Sequence, residues 1–511
     1  MADKRKVPWW EVDKRIDDLS TDHEYEIQVQ REAIPLVFVP GIMGTRLRKP
    51  GTDGTGTSDG LPNLRWDPKS PGWLWDNKKI LNTASGRKSL LVGPSFDSGY
   101  LEVANAKPPG NGFEGVINDY VKGFLKPLKE HDWGPLSKIF EFPVYAVGYN
   151  WTDDNRNSGK MLAERILKIM EEAKGVTGIC EKVILITHSM GGLVARWASE
   201  IEQARGSILG VIHGVQPVTG APAAYWRMKA GFEATWWKLS QVAASWVLGS
   251  SGAMVTPVLA NIPGGLELLP NKDFRPNKHS RAWLTVTGDS AAQMSLPDND
   301  PYEEIYKIKA VVKPTGSQNP SGNAFWALVD PDLLGASKAG KPLGADEPHA
   351  KLGASAPTGG DSWSQYLKML GKAKKFHEDL QKKKHVRTYY FRGTGNKTAN
   401  VIELRVQPGR ASAPPYETRG FRGIFTDAAG TSKHAILQKP GDKAGDGTVP
   451  ESSASALGIP GMVYKVEHQS AYGDDDVKEY VFKAIAALCK VRFEEKRSGS
   501  SQPGGGKGGK P

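Results

Sequence analysis

Short apolar runs, many of them β-branched, recur along the chain at residues 34–39, 142–147, 182–187, 208–215, 386–392 and 462–467. Glycine, proline or polar residues bound them, as expected of strands buried in a sheet interior. The spacing between some of these runs is helical. One helix is predicted from Ser158 to about Lys174, with Ser158 as N-cap and Gly175 as stop. A second starts just after residue 189 and runs to near Gly206, and a third follows residue 468 through Tyr480 and Ala486. Strands alternating with helices predict an α/β fold with a mostly parallel sheet flanked by helices. About 170 residues separate the runs ending at Val215 and starting at Val386. That is far beyond an ordinary connection and predicts a large inserted domain.

The third run ends abruptly at a serine: Val183-Ile184-Leu185-Ile186-Thr187-His188-Ser189-Met190-Gly191-Gly192. A strand that turns sharply into a small-residue helix lifts a serine hydroxyl clear of the sheet, as in the nucleophile elbow of α/β-hydrolases. Thr187 stands where that motif usually has glycine, so a looser or shifted fit is expected. A serine needs a base to take its proton and a carboxylate to orient the base. In the chain order of that fold both lie downstream. The acid predicted is Asp446, in Gly445-Asp446-Gly447-Thr448-Val449-Pro450, with Asp442 as fallback. The base predicted is His468, after the last apolar run. His188 should point away from the serine, His213 reads as a core residue, His434 breaks the chain order, and His377 and His385 read as solvated. An oxyanion needs two backbone donors. One is the amide of Met190; the other is assigned to Met43, or less directly Ile42, in the turn Val39-Pro40-Gly41-Ile42-Met43-Gly44.

These three motifs and His468, in this order, resemble the lecithin:cholesterol acyltransferase-like family of α/β-hydrolases. Tyr149-Asn150-Trp151, Gly264-Gly265-Leu266-Glu267-Leu268-Leu269-Pro270 and Tyr389-Tyr390-Phe391-Arg392-Gly393 are similar to further segments of that family. Asn150 and Thr152 depart from its usual aspartate and arginine. The resemblance, spread over about residues 34–488, implies an α/β-hydrolase fold with a cap. It also implies nucleophile Ser189, acid Asp446, base His468, and oxyanion amides Met43 and Met190. The expected activity is hydrolysis of lipid acyl esters, by a phospholipase or lipase, with no cofactor and no metal. The alternatives are a lipid acyltransferase with the same triad and a catalytically inert lipid-binding protein; an amidase or peptidase is a weaker option.

The chain accordingly divides into an N-terminal extension (1–30), a first core part (31–216), a cap or lid (217–384), a second core part (385–492) and a disordered basic tail (493–511). No charged residue occurs from Leu239 to Leu266. Its glycines, prolines, serines and Asn261 argue against a membrane span. It reads either as a lid or acyl-pocket wall, or as the buried core of the cap. Residues 311–361 read as long surface loops, and Trp363 to Lys384 as a helix with a lysine face. The region 50–112 reads as a loop pinned by Trp66, Trp73 and Trp75.

Charge adds a partner. The 511 residues carry a formal charge of +11, which favours an anionic membrane surface. No nucleic-acid motif is present, so nucleic acid is not an expected partner. Two cysteines, Cys180 and Cys489, read as free thiols. The basic N-terminus lacks an apolar stretch of seven residues, so no cleavable signal peptide is expected. The expected address is the cytoplasm or export by a signal-independent route. Whether an inhibitor or secretion partner exists is left open.

Overall fold

The structure is a computed structural model. It describes residues 3–13, 25–52, 57–58, 61–68, 70–81, 84–92, 100–104, 110–232, 248–249, 252–287, 293–309, 324, 326–329, 331, 334, 362–405, 422–426, 432–436, 440–441 and 444–500. Each of the six apolar runs becomes a strand: β1 Leu36–Val39, β2 Val144–Ala146, β3 Val183–His188, β4 Ile208–Gly214, β5 Thr388–Gly393 and β6 Met462–Tyr464. They form one sheet in the order β2-β1-β3-β4-β5-β6, and every neighbouring pair is parallel. Every residue of β1, β3 and β4 is buried, so the unbroken apolar runs match strands covered on both faces. Helices α1 Asn155–Thr177, α2 Gly191–Glu200 and α5 Asp475–Ser500 flank this sheet. The fold is that of an α/β-hydrolase with a large insertion.

Helix ends differ from the sequence expectation for identifiable reasons. α1 starts a turn before Ser158, because the Asp154 carboxylate accepts the Arg156 N–H and acts as the cap. Ser158 lies buried inside the first turn. The helix passes through Gly175 and ends before Gly178, whose φ of 83° supplies the left-handed stop. α2 ends at Glu200, not near Gly206: the Ile201 and Glu202 amides both return to the Trp197 carbonyl, and Gln203 turns left-handed with φ 60°.

The region 50–112 is more ordered than a loop. It contains helices Pro71–Leu81 and Ala84–Leu91 and short strands Leu64–Trp66 and Glu102–Val103 that flank Leu47–Arg48. Trp66 and Trp73 are buried pins, but Trp75 is 69% exposed, with the Lys78 ammonium 3.7 Å from its ring centroid.

The insertion carries helices α3 Pro222–Ala230 and α4 Ser362–Leu380 and strands Leu284–Thr287 and Gln293–Leu296. Leu284–Thr287 pairs with Ile402–Arg405, which continues the sheet through Ser432–Ile436 to Arg422–Thr426. Strand pairing therefore carries the cap sheet past the expected boundary at 384: the chain returns to the cap after β5. Of the uncharged stretch 239–266, residues 239–247, 250 and 251 lie outside the described residues. Val255, Val258, Ala260 and Ile262 are buried in the cap, which is the core reading rather than the lid. Most of 311–361 lies outside the described residues. α5 extends beyond 493 to Ser500, so the expected start of the tail falls within a helix. Arg492 there binds the buried Glu32 carboxylate and Glu181, and Lys496 binds Glu181. Cys180 and Cys489 are buried free thiols.

Candidate active site

The sequence places Ser189, Asp446 and His468 up to 279 residues apart, and the sheet brings them into one hydrogen-bonded line. Ser189 Oγ lies 2.8 Å from His468 Nε2, and His468 Nδ1 lies 2.7 Å from Asp446 Oδ2. All three are buried. A carboxylate only accepts, so His468 Nδ1 carries the proton and Nε2 is left to accept from the serine. Asp446 is fixed in turn: its Oδ1 accepts the amides of Thr448 and Val449 at 2.9 and 2.7 Å. The His468 amide donates to the Asp446 carbonyl at 2.9 Å, so acid and base loops are tied through main chain as well. The fallback Asp442 lies outside the described residues.

Ser189 has φ 52°, left-handed for a residue with a side chain. Such strain persists only where the surroundings enforce it. Here the Ser189 amide donates to the Gly214 carbonyl at the end of β4, and α2 presses against β1. A methyl group at Gly191 would lie 2.4 Å from the Pro40 carbonyl oxygen, so only glycine fits. The first elbow position tolerates threonine because β4 makes room: Thr187 Oγ1 bonds His213 Nδ1 at 2.8 Å, and both are buried. His213 is thus the core residue expected; burial pushes its pKa down to about 3.

Met43 is the second strained residue, with φ 63°. Among the described residues, neither its amide nor that of Met190 has a hydrogen-bond acceptor. The Met43 carbonyl does have a donor: Trp66 Nε1 at 3.0 Å. Trp66 packs edge-on against buried Trp151, with centroids 4.9 Å apart. The tryptophan pin and the Tyr149-Asn150-Trp151 segment therefore support the same peptide. Asn150 uses its oxygen to accept from the Thr152 amide and hydroxyl and its nitrogen to donate to Leu101, so the two departures from the resembled motif satisfy one another.

Two histidines contradict the solvated reading. His385 is buried, and His377 bonds the Glu267 carbonyl through Nε2 at 2.7 Å and the Asn271 side chain through Nδ1. The lysines of α4 alternate with buried Tyr366, Met369, Ala373 and Phe376, and the buried side of the helix takes His377 with it. His434 lies on a strand of the cap sheet. Sequence patterns gave no sign of Tyr120, whose hydroxyl bonds His188 Nδ1 at 2.8 Å. Nor did they mark Tyr472, which donates to the Thr187 carbonyl at 2.8 Å.

Ser189 and His468 open on a cavity whose lining is mostly apolar. Ile42, Met43 and Leu268 give it an apolar wall, and one face of α3 contributes Ala223, Ala224 and Arg227. Leu268 belongs to the Glu-Leu-Leu-Pro segment, so the cap motif borders the pocket. Among the described residues there is no cluster fit to hold a metal ion, and no helix long and apolar enough to cross a membrane.

The model of the PGAP1-like alpha/beta domain family matches residues 155–246. That segment carries α1, the elbow and β4 but stops before Asp446 and His468. No curated protein matches the chain. Among solved structures, a chain of the Tle4–Tli4 complex is 20% identical, covering 90% of this chain and 99% of its own, with a TM-score of 0.65. The mature Bacillus licheniformis lipase BlEst2 is 14% identical over 50% of this chain and 66% of its own, with a TM-score of 0.18. Aspergillus fumigatus lipase B is 11% identical over 37% of this chain and 26% of its own, with a TM-score of 0.15. The first of these shares the fold over nearly the whole chain; the other two are too distant to bear on it.

Proposed function

We propose that this chain is a serine esterase that hydrolyses acyl esters of lipids, a phospholipase or lipase akin to the lecithin:cholesterol acyltransferase-like enzymes. The observation that carries the proposal is the unbroken line Ser189–His468–Asp446 opening on an apolar cavity. Ser189 Oγ attacks the ester carbonyl carbon while His468 Nε2 takes its proton. Asp446 orients the ring and stabilises the imidazolium. The oxyanion sits against the Met43 and Met190 amides, which have no acceptor among the described residues. On collapse His468 returns the proton to the leaving alcohol, and the acyl group stays on Ser189. Water then attacks the acyl-enzyme through the same base, releasing a fatty acid and restoring the serine. No step calls for a cofactor.

Both Asp119 and Arg227 line the cavity, so the preference for a phospholipid rests on the charge of the whole chain. The net charge of +11 supports work at an anionic bilayer. That Tle4 was solved with Tli4 supports looking for a protein partner of this chain too.

The test is mass spectrometry of products from vesicles of mixed phospholipid and neutral lipid, with wild type and Ser189→Ala compared. Fatty acid and lysolipid released by wild type alone are expected. Equal release by Ser189→Ala, or no labelling of Ser189 by a fluorophosphonate, overturns the proposal.

A further inference from the structure

His188 adjoins the nucleophile, is buried, and is bonded through both ring nitrogens, yet it takes no part in the proton transfer. Its Nε2 lies 2.7 Å from the main-chain carbonyl of His468. A carbonyl only accepts, so Nε2 carries the proton and donates. Nδ1 of the neutral ring is then an acceptor, and the Tyr120 hydroxyl donates to it at 2.8 Å. The tautomer is the opposite of that of His468, whose proton sits on Nδ1, and every polar atom of the ring is used.

Neutrality matters here. The two imidazole centroids are 5.1 Å apart. His468 must become an imidazolium during the reaction, and a second cation so close in a buried site would oppose it. Burial first, and then the neighbouring His468, push His188 down to about 3, so it stays uncharged while His468 cycles. Tyr120 is likewise buried, and burial keeps its phenol protonated as a donor.

Position matters as much. The His468 main chain is held on one side by its amide bond to Asp446 and on the other by His188. Tyr120 carries the support onward to the oxyanion loop, because the Gly41 backbone faces its hydroxyl. A methyl group at Gly41 would sit 2.7 Å from His188 Nδ1 and 2.9 Å from Ser189 Cβ, so the loop closes directly on this ring.

We propose that Tyr120 and His188 are positioning residues, a neutral hydrogen-bonded strut that sets the main chain of His468 against Ser189 and the oxyanion loop. The proposal rests on His468 being the base, as argued above. A base displaced by about 1 Å costs on the order of 100-fold in rate.

The experiment uses the full chain with a short-chain p-nitrophenyl ester, rates being normalised to serines titrated by a fluorophosphonate. Tyr120→Phe, which removes one oxygen from a ring that still packs, is expected to lower kcat about tenfold with KM within about twofold. His188→Ala should lower it about 100-fold, and His188→Gln, whose amide offers one donor and one acceptor, should recover part of that loss. The fluorophosphonate inactivation rate should fall in step, because that reaction needs no lipid. The double variant should be no worse than His188→Ala, since both changes break one strut. Wild-type rates per titrated site, losses confined to KM, or fully multiplicative losses overturn the strut. His468→Ala separates the two levels: if it is inactive while the strut variants are unaffected, the strut alone fails. If it keeps full turnover, the base assignment fails and the strut with it.

Discussion

The sheet floor and the cap both have buried interiors, but they are held together by different bonds. In the floor, β1, β3 and β4 pair strand to strand, and their side chains are almost all aliphatic. In the cap, buried tyrosines and a lysine reach distant carbonyls: Tyr306 to Pro270, Tyr366 to Tyr306, Tyr225 to Trp326 and Lys229 to Ala327. Burial pushes the phenols of Tyr225, Tyr306 and Tyr366 well above their usual value, so they serve as neutral donors. Each region also holds a buried carboxyl group. Asp446 faces donors: two amides and His468 Nδ1. Glu267 takes the Asn155 amide at the start of α1 and lies beside Asp154. Burial first, and then Asp154, raise Glu267 well above the usual carboxylate value. One acid is placed to do its work as an anion, the other as a neutral hydrogen-bonding group that seats the cap.

That contrast breaks most sharply at Asp446→Asn. The amide still accepts from Thr448 and Val449, but its N–H₂ facing His468 Nδ1 selects the wrong tautomer. We expect kcat to fall about 10⁴-fold with the melting temperature little changed; steady-state kinetics and a thermal melt check this. Glu267→Gln should do the reverse. Glutamine mimics the protonated acid, so turnover should stay within about twofold. For the wild type, a raised folded pKa means that stability is full below the unfolded value and declines as pH rises above it. The variant should therefore melt roughly 2–4 °C higher than wild type at pH 8, and the gain should vanish near pH 4.5. A lower melting temperature at pH 8 would show that the carboxyl is needed as an anion. The smallest effect is expected at Tyr366→Phe, which orphans the Tyr306 carbonyl. A loss of about 1 kcal/mol in urea unfolding, without loss of turnover, would confirm that the cap's tyrosine bonds serve stability alone.

The same contrast decides what could be read from the chain. All six strands of the floor were legible, because each is a contiguous apolar run whose partners are other such runs. The Ser189, Asp446 and His468 motifs were legible because turn chemistry is local: an abrupt strand end, or an aspartate between glycines. The cap's ties span 36 to 101 residues and have no period, so nothing in the order of residues marks Tyr306 or Tyr366 as partners. The same holds for Tyr120, 68 residues from His188. The His377 error has the same root: lysines on one side of α4 hid the carbonyl of Glu267 on the other. The return of the chain to the cap sheet after β5 was invisible because Ile402–Arg405 is a short strand that pairs with residues over 100 positions earlier.

The separation of 279 residues between Ser189 and His468 has a consequence in time. At ordinary rates of synthesis that distance takes on the order of tens of seconds. Throughout it the nascent chain carries the serine without the proposed base. Under the function proposed above, activity must wait until β6 and the loop after it have left the ribosome, and a product cut short before residue 468 would lack its base.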